Sequence, residues 1–403
     1  MKLIRGDKRL LFLGITGTLQ LMSVGFALPS IPQLIRNFTE DAQTTSFYFS
    51  LFYSLYALAQ FLAAPLIGSL SDRFGRRPIL LISLFIAACD YLVMNFAPTI
   101  TILLASRIVA GLCGANVTVC MAYASDISTK ETRGTYYSTV SAAFGLGLIL
   151  GPLIGGLIGN IDPRYPFIAS SVLYFINFLY CLYILPESLP IHHRRKLDIK
   201  KMNPLSGIQR IFSCSTTLKL FLIYFLIHYC ASTNPAIWSL FTEYRFNWTP
   251  KEIGLSLTVV GLLTFFSQGF LSRIIMPRLG HGKTLQFSVV GNIFAYIFFA
   301  YAANSFQIYS AIIFASLFFL AQPSIQTLIS ETVGPEKQGE LHGTVVSLNS
   351  LSIFLNPLIS TQLFSYFGKN YDLPGAPYIV ASLISLVLAF WIFYLRRIKT
   401  IKD

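Results

Sequence analysis

Two long apolar runs are joined by the segment Gly68-Ser-Leu-Ser-Asp72-Arg73-Phe-Gly75-Arg76-Arg77-Pro78. Gly75 permits a sharp turn of the chain, and Gly68 permits neighbouring helices to approach closely. Asp72 can lie against the N-terminus of a helix in the other half of the chain, where a carboxylate is favoured. Arg76 can form a bridge with Asp126, which lies at the cytoplasmic end of the fourth apolar run. An ordinary basic loop is the alternative. The acid within the basic cluster and the glycine spacing favour a conformational switch, whose contacts hold one state and break in another.

The composition excludes a soluble enzyme. The 403 residues are 54% hydrophobic and 12% charged, with a mean hydropathy of +0.63, whereas soluble domains carry about 25% charged residues. Apolar runs of roughly 20 residues recur, the length that crosses a hydrocarbon core about 30 Å thick. The predicted spans are 10–29, 47–67, 79–96, 100–123, 136–159, 165–185, 218–241, 252–271, 284–303, 306–329, 341–367 and 378–395. The sequence therefore predicts an all-α membrane protein with about twelve transmembrane helices.

An internal repeat divides these spans six and six. With a shift of 205 residues, Arg73-Phe-Gly75 aligns with Arg278-Leu-Gly280 and Pro152 aligns with Pro357. The segment 126–131 aligns with 331–336 at the same shift. We therefore predict an N-terminal half at 1–185, a cytoplasmic linker at 186–217 and a C-terminal half at 218–403. Two parallel halves of this kind enclose a solute cavity in transporters that work by alternating access.

Lysine and arginine predict the orientation. With the N-terminus in the cytoplasm, 24 of the 30 Lys and Arg residues fall on the cytoplasmic side and five on the other side. This positive-inside distribution predicts that both termini lie in the cytoplasm. We expect the chain to reside in the inner membrane of the cell. The same distribution also accounts for the net charge of +13 without a nucleic-acid partner.

A second motif lies in the fifth span, with the sequence Gly145-Leu-Gly147-Leu-Ile-Leu-Gly151-Pro152-Leu-Ile-Gly155-Gly156. Its small residues favour tight helix packing and its proline favours a kink. A generic packing helix is the alternative interpretation. Together the two motifs resemble the signature loop of the major facilitator superfamily and the glycine-proline motif of its antiporter members. That resemblance implies export in exchange for protons.

Residues 51–190 further resemble the tetracycline-resistance pumps of the drug:proton antiporter group. The similar segments include Leu55-Tyr-Ala-Leu-Ala-Gln60, Asp90-Tyr-Leu92, Arg107-Ile-Val-Ala-Gly111 and, in the second half, Trp238-Ser-Leu-Phe-Thr-Glu-Tyr-Arg-Phe-Asn-Trp248. Those pumps carry an acid, a histidine and an acid where this chain has Gln20, Thr264 and Asn292. Metal-chelated tetracycline would use those charges, so the neutral residues count against tetracycline as the substrate.

Asp90 and Arg107 are expected to be the only clearly ionisable residues deep in a span. They lie eight residues before and nine residues after Pro98, in the turn between spans three and four. Both therefore lie roughly 12 Å below the outer end of the helices, and we expect them to pair. The pair either couples transport to protons or permanently fixes the packing of the two spans, and the sequence leaves both interpretations open.

Other polar and aromatic residues in the spans are candidates for the wall of a substrate cavity, and each polar one could instead link helices. They are Gln20, Tyr56, Gln60, Asn116, Phe144, Tyr229, Asn234, Trp238, Gln268, Asn292, Gln322, Gln326 and Asn349. The six cysteines have no metal-site spacing and are expected to fill apolar space. The sequence contains no Walker loop, so ATP is not expected to be the energy source. No cofactor or metal is expected.

The sequence thus predicts a monomeric, proton-coupled exporter of small amphipathic drugs or toxic metabolites. A dedicated transporter of one metabolite or siderophore is the alternative of the same fold. A non-transporting membrane receptor or scaffold is the alternative of another class. It would have no need of Asp72, Arg76 or Asp90.

Overall fold

The computed structural model describes residues 8–114, 116–129, 132–191, 194, 215–332 and 338–397. The α-helices of these residues are α1 (Lys8–Ala27), α2 (Ile31–Arg36), α3 (Ala42–Phe74), α4 (Arg76–Phe96), α5 (Ile100–Cys113), α6 (Asn116–Asp126), α7 (Arg133–Gly159), α8 (Tyr165–Tyr183), α9 (Ser215–Phe246), α10 (Pro250–Phe266), α11 (Ser272–Tyr301), α12 (Ser305–Ser316), α13 (Ala321–Thr332), α14 (Gln338–Tyr371) and α15 (Ala376–Arg397). A 3-10 turn links α1 to α2, and a π-helical turn, Ser267–Leu271, links α10 to α11. The described residues contain no strand, and the predicted all-α class is confirmed.

Eleven helical runs of the described residues are long and apolar enough to cross a membrane. Ten of them each match one predicted span. The remaining run, Pro250–Tyr301, has 52 residues, or roughly 78 Å of helix at 1.5 Å per residue, which is enough for two crossings. Gly280 has a φ of 76° inside this run, so the chain turns there. The predicted eighth and ninth spans are therefore separate helices, and the twelve predicted spans are present.

The 205-residue repeat is visible in the backbone. Gly75 and Gly280 have φ values of 105° and 76°, and they are the glycines with positive φ among the described residues. Thr99 and Asn304 cap α5 and α12, and each side chain accepts a hydrogen bond from the N–H three residues later. Turns and caps at matching positions show that the two sequence halves fold by the same local rules.

The fourth span of each half is interrupted. In the first copy α5 ends at Cys113 and α6 begins at Asn116. In the second copy α12 ends at Ser316 and α13 begins at Ala321. The starts of α6 and α13 are again 205 residues apart. An interruption inside a span frees backbone groups that lipid cannot satisfy, so protein groups must do so.

The chain divides into two compact units. The first contains Met1–Phe38, Leu58–Asn203 and Thr249–Thr258, and the second contains Thr39–Ala57, Pro204–Trp248 and Val259–Asp403. Each unit holds most of one predicted half. The segments Thr39–Ala57 and Thr249–Thr258 group with the opposite unit from the rest of their spans. The sequence boundaries at 185 and 218 do not anticipate this exchange.

An apolar core holds the second unit together. Tyr224 of α9 lies in it with Leu285 of α11, Ile325 of α13, Leu348 of α14 and Leu388 of α15, and each of these side chains is buried. Helix association in lipid depends on such close packing, because lipid tails are as apolar as the core itself. Five helices are thereby fixed around a common centre.

A polar residue caps the N-terminus of α3. The Asp41 carboxylate accepts hydrogen bonds from the N–H groups of Gln43 and Thr44, each at 2.8 Å, and from the Thr44 hydroxyl at 2.6 Å. The bond from the Thr44 hydroxyl contributes most to lowering the pKa of Asp41 below its ordinary value. This carboxylate satisfies N–H groups that have no partner inside the helix.

Candidate functional site

Arg76 is the centre of a charged network in the first unit. Its guanidinium lies 2.6 Å from Asp72 Oδ1 and 2.9 Å from Asp126 Oδ2, and it donates to Ser71 Oγ at 2.6 Å. Asp126 also accepts from the Ser188 hydroxyl at 3.0 Å. The structure thus places the predicted partners Arg76 and Asp126 in contact, and it pairs Asp72, near the end of α3, with the same guanidinium. We call Ser71, Asp72, Arg76, Asp126 and Ser188 the Arg76 network.

Glu187, which the sequence reasoning missed, caps the helix that carries Arg76. Its carboxylate accepts from the backbone N–H groups of Arg76 at 2.9 Å and Arg77 at 3.3 Å. A carboxylate is favoured there because the first N–H groups of a helix lack intrahelical partners and carry partial positive charge. The available signal was an acid directly after span six, in the sequence Pro186-Glu187-Ser188.

Other residues of the loop have separate contacts. Arg73 lies 5.1 Å from the ring centre of Phe74, and Arg77 donates to the carbonyl of Leu182. A Cβ added to Gly68 would meet no atom within 4 Å. The close helix approach expected at Gly68 is therefore absent from the described part of its unit, because this glycine faces open space.

Asp90 on α4 and Arg107 on α5 form a buried ion pair through Asp90 Oδ2 and Arg107 Nη2. Only 5% of Asp90 and 6% of Arg107 is exposed. The guanidinium also lies 5.7 Å from the ring centre of Tyr91, which stacks on Tyr174 at 5.5 Å, so the cation has an aromatic neighbour as well as its acid. Asp90 Oδ1 has no hydrogen-bond partner among the described residues. The pairing expected from the depth of the two residues is present.

Three predicted amide residues of the first unit have different surroundings. Gln60 donates from Nε2 to the carbonyl of Gly114 at 2.8 Å, and so satisfies a backbone group at the interruption between α5 and α6. Gln20 and Asn116 are buried, and their side-chain oxygens have no hydrogen-bond partner among the described residues. Gln60 therefore stabilises the backbone, whereas the side-chain oxygens of Gln20 and Asn116 accept no hydrogen bond from the described residues.

The glycines of the fifth span lie against two neighbours. A Cβ added to Gly151 would lie 2.7 Å from Gly25 Cα of α1, and Gly147 and Gly155 face the same helix. A Cβ added to Gly156 would lie 2.6 Å from the carbonyl oxygen of Pro250 at the start of α10. Only glycine allows backbones to approach this closely.

The remaining predicted residues of this helix support the same packing. Pro152 lies inside α7, which continues through it. The predicted cavity residue Phe144 has its ring against Gly17 of α1. Thr258 of α10 donates from Oγ1 to the Ile149 carbonyl at 3.2 Å. The motif therefore joins α7 to α1 on one side and to α10 on another.

The second unit contains a cavity of about 260 Å³. Four residues predicted for the substrate cavity line it, namely Asn234, Gln268, Asn292 and Gln322. Thr264 lines it as well, so two of the three positions at which the chain departs from the tetracycline pumps lie here. The π-helical turn Ser267–Leu271 carries Gln268, and such turns are frequent at functional sites.

Other predicted cavity residues lie outside the lining of this cavity. Trp238 is 1% exposed and packs edge-to-face against Trp248 and Phe299. Tyr56 and Tyr229 are half-buried. Gln326 is hydrogen-bonded to Tyr224, and Asn349 to His228. Trp238 therefore lies in an aromatic core.

His228 corrects the expectation that Asp90 and Arg107 are the only ionisable residues deep in a span. It lies in α9, is buried, and its ring centre is 4.2 Å from that of Tyr224. Its Nε2 has no hydrogen-bond partner among the described residues. The sequence signal was a histidine in the middle of the apolar run 218–241.

The positions that repeat the ion pair lie in the cavity wall. A shift of 205 residues takes Asp90 to Ala295 and Arg107 to Ile312, and both Ala295 and Ile312 line the cavity. Where the first unit has a buried ion pair, the second has a small and an apolar side chain beside an open space.

Comparison with known proteins agrees with this architecture. The model of the major facilitator superfamily matches residues 13–355 and, in a second match, 220–402. Tetracycline resistance protein, class C, of Escherichia coli is 34% identical over 92% of this chain and 93% of its own length. Multidrug resistance protein 2 of Bacillus subtilis is 25% identical over 91% of this chain and 90% of its own length.

Solved structures share the fold at low identity. The human organic anion transporter MFSD10 superposes with a TM-score of 0.73 at 22% identity, over 96% of this chain and 99% of that one. The nucleoside transporter NupG superposes with a TM-score of 0.77 at 15% identity, over the same shares. The family-model match and the near full-length relatives assign the chain: it belongs to the major facilitator superfamily, as a relative of the tetracycline-resistance proteins.

Proposed function

We propose that this chain exports small amphipathic compounds across the membrane in exchange for protons, by alternating access. The observation that carries the proposal is the cavity in the second unit, lined by four carboxamides among aromatic side chains within a membrane-spanning bundle. Such a wall suits a solute with both apolar and hydrogen-bonding parts. The drug-resistance proteins among its relatives support export as the direction.

The Arg76 network is suited to a conformational switch. Its ion pairs join the start of α4 to the end of α3 and to the end of α6, and Glu187 ties the segment after α8 to the start of α4. Arg76 is only 8% exposed, so a state in which these contacts open must supply water or new partners to its guanidinium. We propose that these contacts hold one state of the transport cycle and open in the other.

The ion pair of Asp90 and Arg107 is our candidate for proton coupling. While Arg107 contacts Asp90, the guanidinium charge balances the charge of the carboxylate. A conformational change that separates the two groups would leave a charged carboxylate in an apolar surrounding, and protonation would relieve that penalty. Proton uptake is then tied to one conformation, which is the requirement for exchange.

The cellular setting follows from the charge distribution. The excess of Lys and Arg on one side supports a position in the inner (plasma) membrane with both termini in the cytoplasm. We propose that a single copy of the chain works alone, because the repeat itself supplies two halves of six spans.

A transport assay in cells expressing the chain tests the proposal. A panel of fluorescent drugs is measured for accumulation, with and without an uncoupler that collapses the proton gradient. We expect lower accumulation of some compounds in expressing cells, and loss of that difference with the uncoupler. Unchanged accumulation of every compound would contradict the export function.

A single substitution then tests the coupling residue. Asp90→Asn removes the titrating group but keeps its size, and we expect it to abolish pH-dependent export while substrate binding persists. Full pH-dependent export by Asp90→Asn would show that the pair only fixes the packing of α4 and α5. Ser83→Ala, on the buried side of the same helix, is a control for general effects of substitution in α4.

A further inference from the structure

The chemistry of the cavity wall is uniform in one respect. Its polar groups are carboxamides, hydroxyls and one thiol, and they come from Cys230, Asn234, Thr264, Gln268, Asn292, Tyr296, Gln322 and Ser385. No aspartate, glutamate, lysine, arginine or histidine is among the described residues that line the cavity. A carboxamide offers two donor hydrogens and an acceptor oxygen but no net charge. The wall can thus pair with hydrogen-bonding groups of either kind, whereas it offers no counter-charge.

The apolar part of the wall combines aromatic and aliphatic side chains. Tyr296, Phe299, Phe318 and Phe319 line the cavity together with aliphatic side chains. Flat rings favour flat apolar ligands by stacking or edge contacts. The volume of about 260 Å³ lies just below the roughly 300–1,000 Å³ usual for drug-sized ligands, so the cavity suits a compact ligand or one ring system of a larger one.

One amide of the wall is already oriented by the protein. Asn234 Oδ1 accepts a hydrogen bond from the Tyr378 hydroxyl at 3.0 Å, and Tyr378 itself is fully buried between Phe241 and Phe299. A side chain whose orientation is set before a ligand arrives loses less freedom on binding. The polar wall is therefore partly preorganised.

The repeat explains why the space is open and uncharged. The first unit has Asp90, Tyr91 and Arg107 packed together, and the 205-residue shift takes these residues to Ala295, Tyr296 and Ile312. All three of the latter line the cavity. The aromatic residue is kept, and the two charged side chains are replaced by smaller or apolar ones that leave room for a solute.

From the lining and the repeat we propose that this cavity binds uncharged, hydrogen-bonding aromatic compounds and rejects permanently cationic analogues. An ion entering it would lose its hydration without gaining an opposite charge, and contact with the aromatic rings would offset only part of that penalty. A neutral compound loses only hydrogen bonds that the carboxamides replace. The inference names the substrate class of the proposed exporter and in that sense rests on the proposed function.

The experiment measures binding rather than transport. The full chain, purified in lipid nanodiscs, is titrated with two fluorescent probes: a neutral dimethylamino-substituted aromatic dye and its permanently cationic trimethylammonium analogue. We expect the neutral probe to bind at least roughly tenfold more tightly than the cation. Equal binding of the two probes by the unmodified chain would overturn the inference.

Charge-introducing variants sharpen the result. Asn292→Asp places a carboxylate in the wall. We expect it to lower the ratio of the affinity for the neutral probe to the affinity for the cationic probe by roughly tenfold. Gln322→Glu, from a different helix, is the second variant in case the first fails to fold, and the same change is expected. Asn304→Asp is the matched control outside the cavity, because aspartate caps a helix as well as asparagine does.

The outcomes separate this inference from the proposed function. Folded Asn292→Asp and Gln322→Glu variants that keep the preference of the unmodified chain would contradict the site. The same change in Asn304→Asp would also contradict it, since the effect would then be general. Selective binding of the neutral probe by a chain that exports nothing in cells would leave the site standing and refute the export function alone.

Discussion

The two units have opposite side chains at one repeated pair of positions. In the first, Asp90 and Arg107 form an ion pair with 5% and 6% of each residue exposed. In the second, Ala295 and Ile312 occupy the repeated positions and border a cavity of about 260 Å³. The backbone turns and caps around these positions are kept. The difference teaches that a duplicated bundle can keep its helix ends while one copy specialises in charge and the other in an uncharged cavity.

The largest expected effect comes from removing one partner of the ion pair between Asp90 and Arg107. Arg107→Leu leaves Asp90 buried without its partner, and we expect a loss of about 3–5 kcal/mol of stability. Thermal unfolding of the detergent-solubilised chain, followed by fluorescence-detected size exclusion, measures it. Ile312→Val at the repeated position is the control, with an expected loss of about 0.5–1.5 kcal/mol. Similar losses for both variants would contradict a difference between the units.

The second-unit residues can also be placed in the first unit. The double variant Asp90→Ala with Arg107→Ile removes both charges, and we expect it to recover most of the stability that Arg107→Leu loses. Proton-dependent export should remain absent, because no titrating group is left at the site. Normal pH-dependent export by this double variant would show that the pair has no part in coupling.

The reverse exchange tests the cavity. Ala295→Asp combined with Ile312→Arg introduces charged side chains of larger size into the cavity wall of the second unit. We expect binding of the neutral aromatic probe to fall roughly a hundredfold, because the side chains occupy the space and bring their own hydration. Binding in nanodiscs measures this, with unfolding temperature as the check on folding. Unchanged binding would place the solute elsewhere.

A smaller effect is expected where the units pack a repeated helix differently. Gly151 lies against Gly25, whereas its counterpart Asn356 donates to the Tyr229 carbonyl at 2.7 Å and to Thr233 at 2.9 Å. We expect Gly151→Ala to cost about 1–3 kcal/mol by overpacking and Asn356→Ala about 1–3 kcal/mol by leaving buried groups unpaired. Unfolding temperatures of both variants are the measurement. Gly145→Ala, where a Cβ meets nothing within 4 Å, should be neutral, and a loss there would contradict the contact argument.

The smallest effect should be equal in the two units. Thr99→Ala and Asn304→Ala each remove a side chain that caps a helix at the same repeat position. We expect each to cost about 1 kcal/mol, and Thr99→Ser and Asn304→Asp to restore the cap. Hydrogen exchange of the first turns of α5 and α12 measures the local opening. A clear difference between the two helices would show that the local equivalence of the units is incomplete.

Much of the fold followed from local sequence. The twelve spans were predicted because a run of about 20 apolar residues must cross the bilayer as a helix. The turn at Gly280 was indicated by its alignment with Gly75, since a positive φ favours glycine. The contact of Asp90 with Arg107 followed from counting helical rise on either side of Pro98. Each inference needed only the chain near the residue concerned or, for Gly280, the repeat of the sequence.

The candidate site was harder to predict. Of thirteen predicted cavity residues, Asn234, Gln268, Asn292 and Gln322 line the cavity of the second unit. Trp238 lies in an aromatic core, and Gln60 is bonded to the carbonyl of Gly114. Hydropathy cannot separate these cases, because a helix face toward lipid and a face toward protein are both apolar.

By itself, the sequence determined the class of protein, the number of spans and the repeat, since these depend on hydropathy and on conformations near a single residue. Only the tertiary structure decided that Glu187 caps the helix of Arg76 from across the unit, and that Ala295 and Ile312 border a cavity. The physical reason is that a cap or a cavity is made by residues distant in the chain. Its existence depends on how helices pack, and no local pattern encodes that packing.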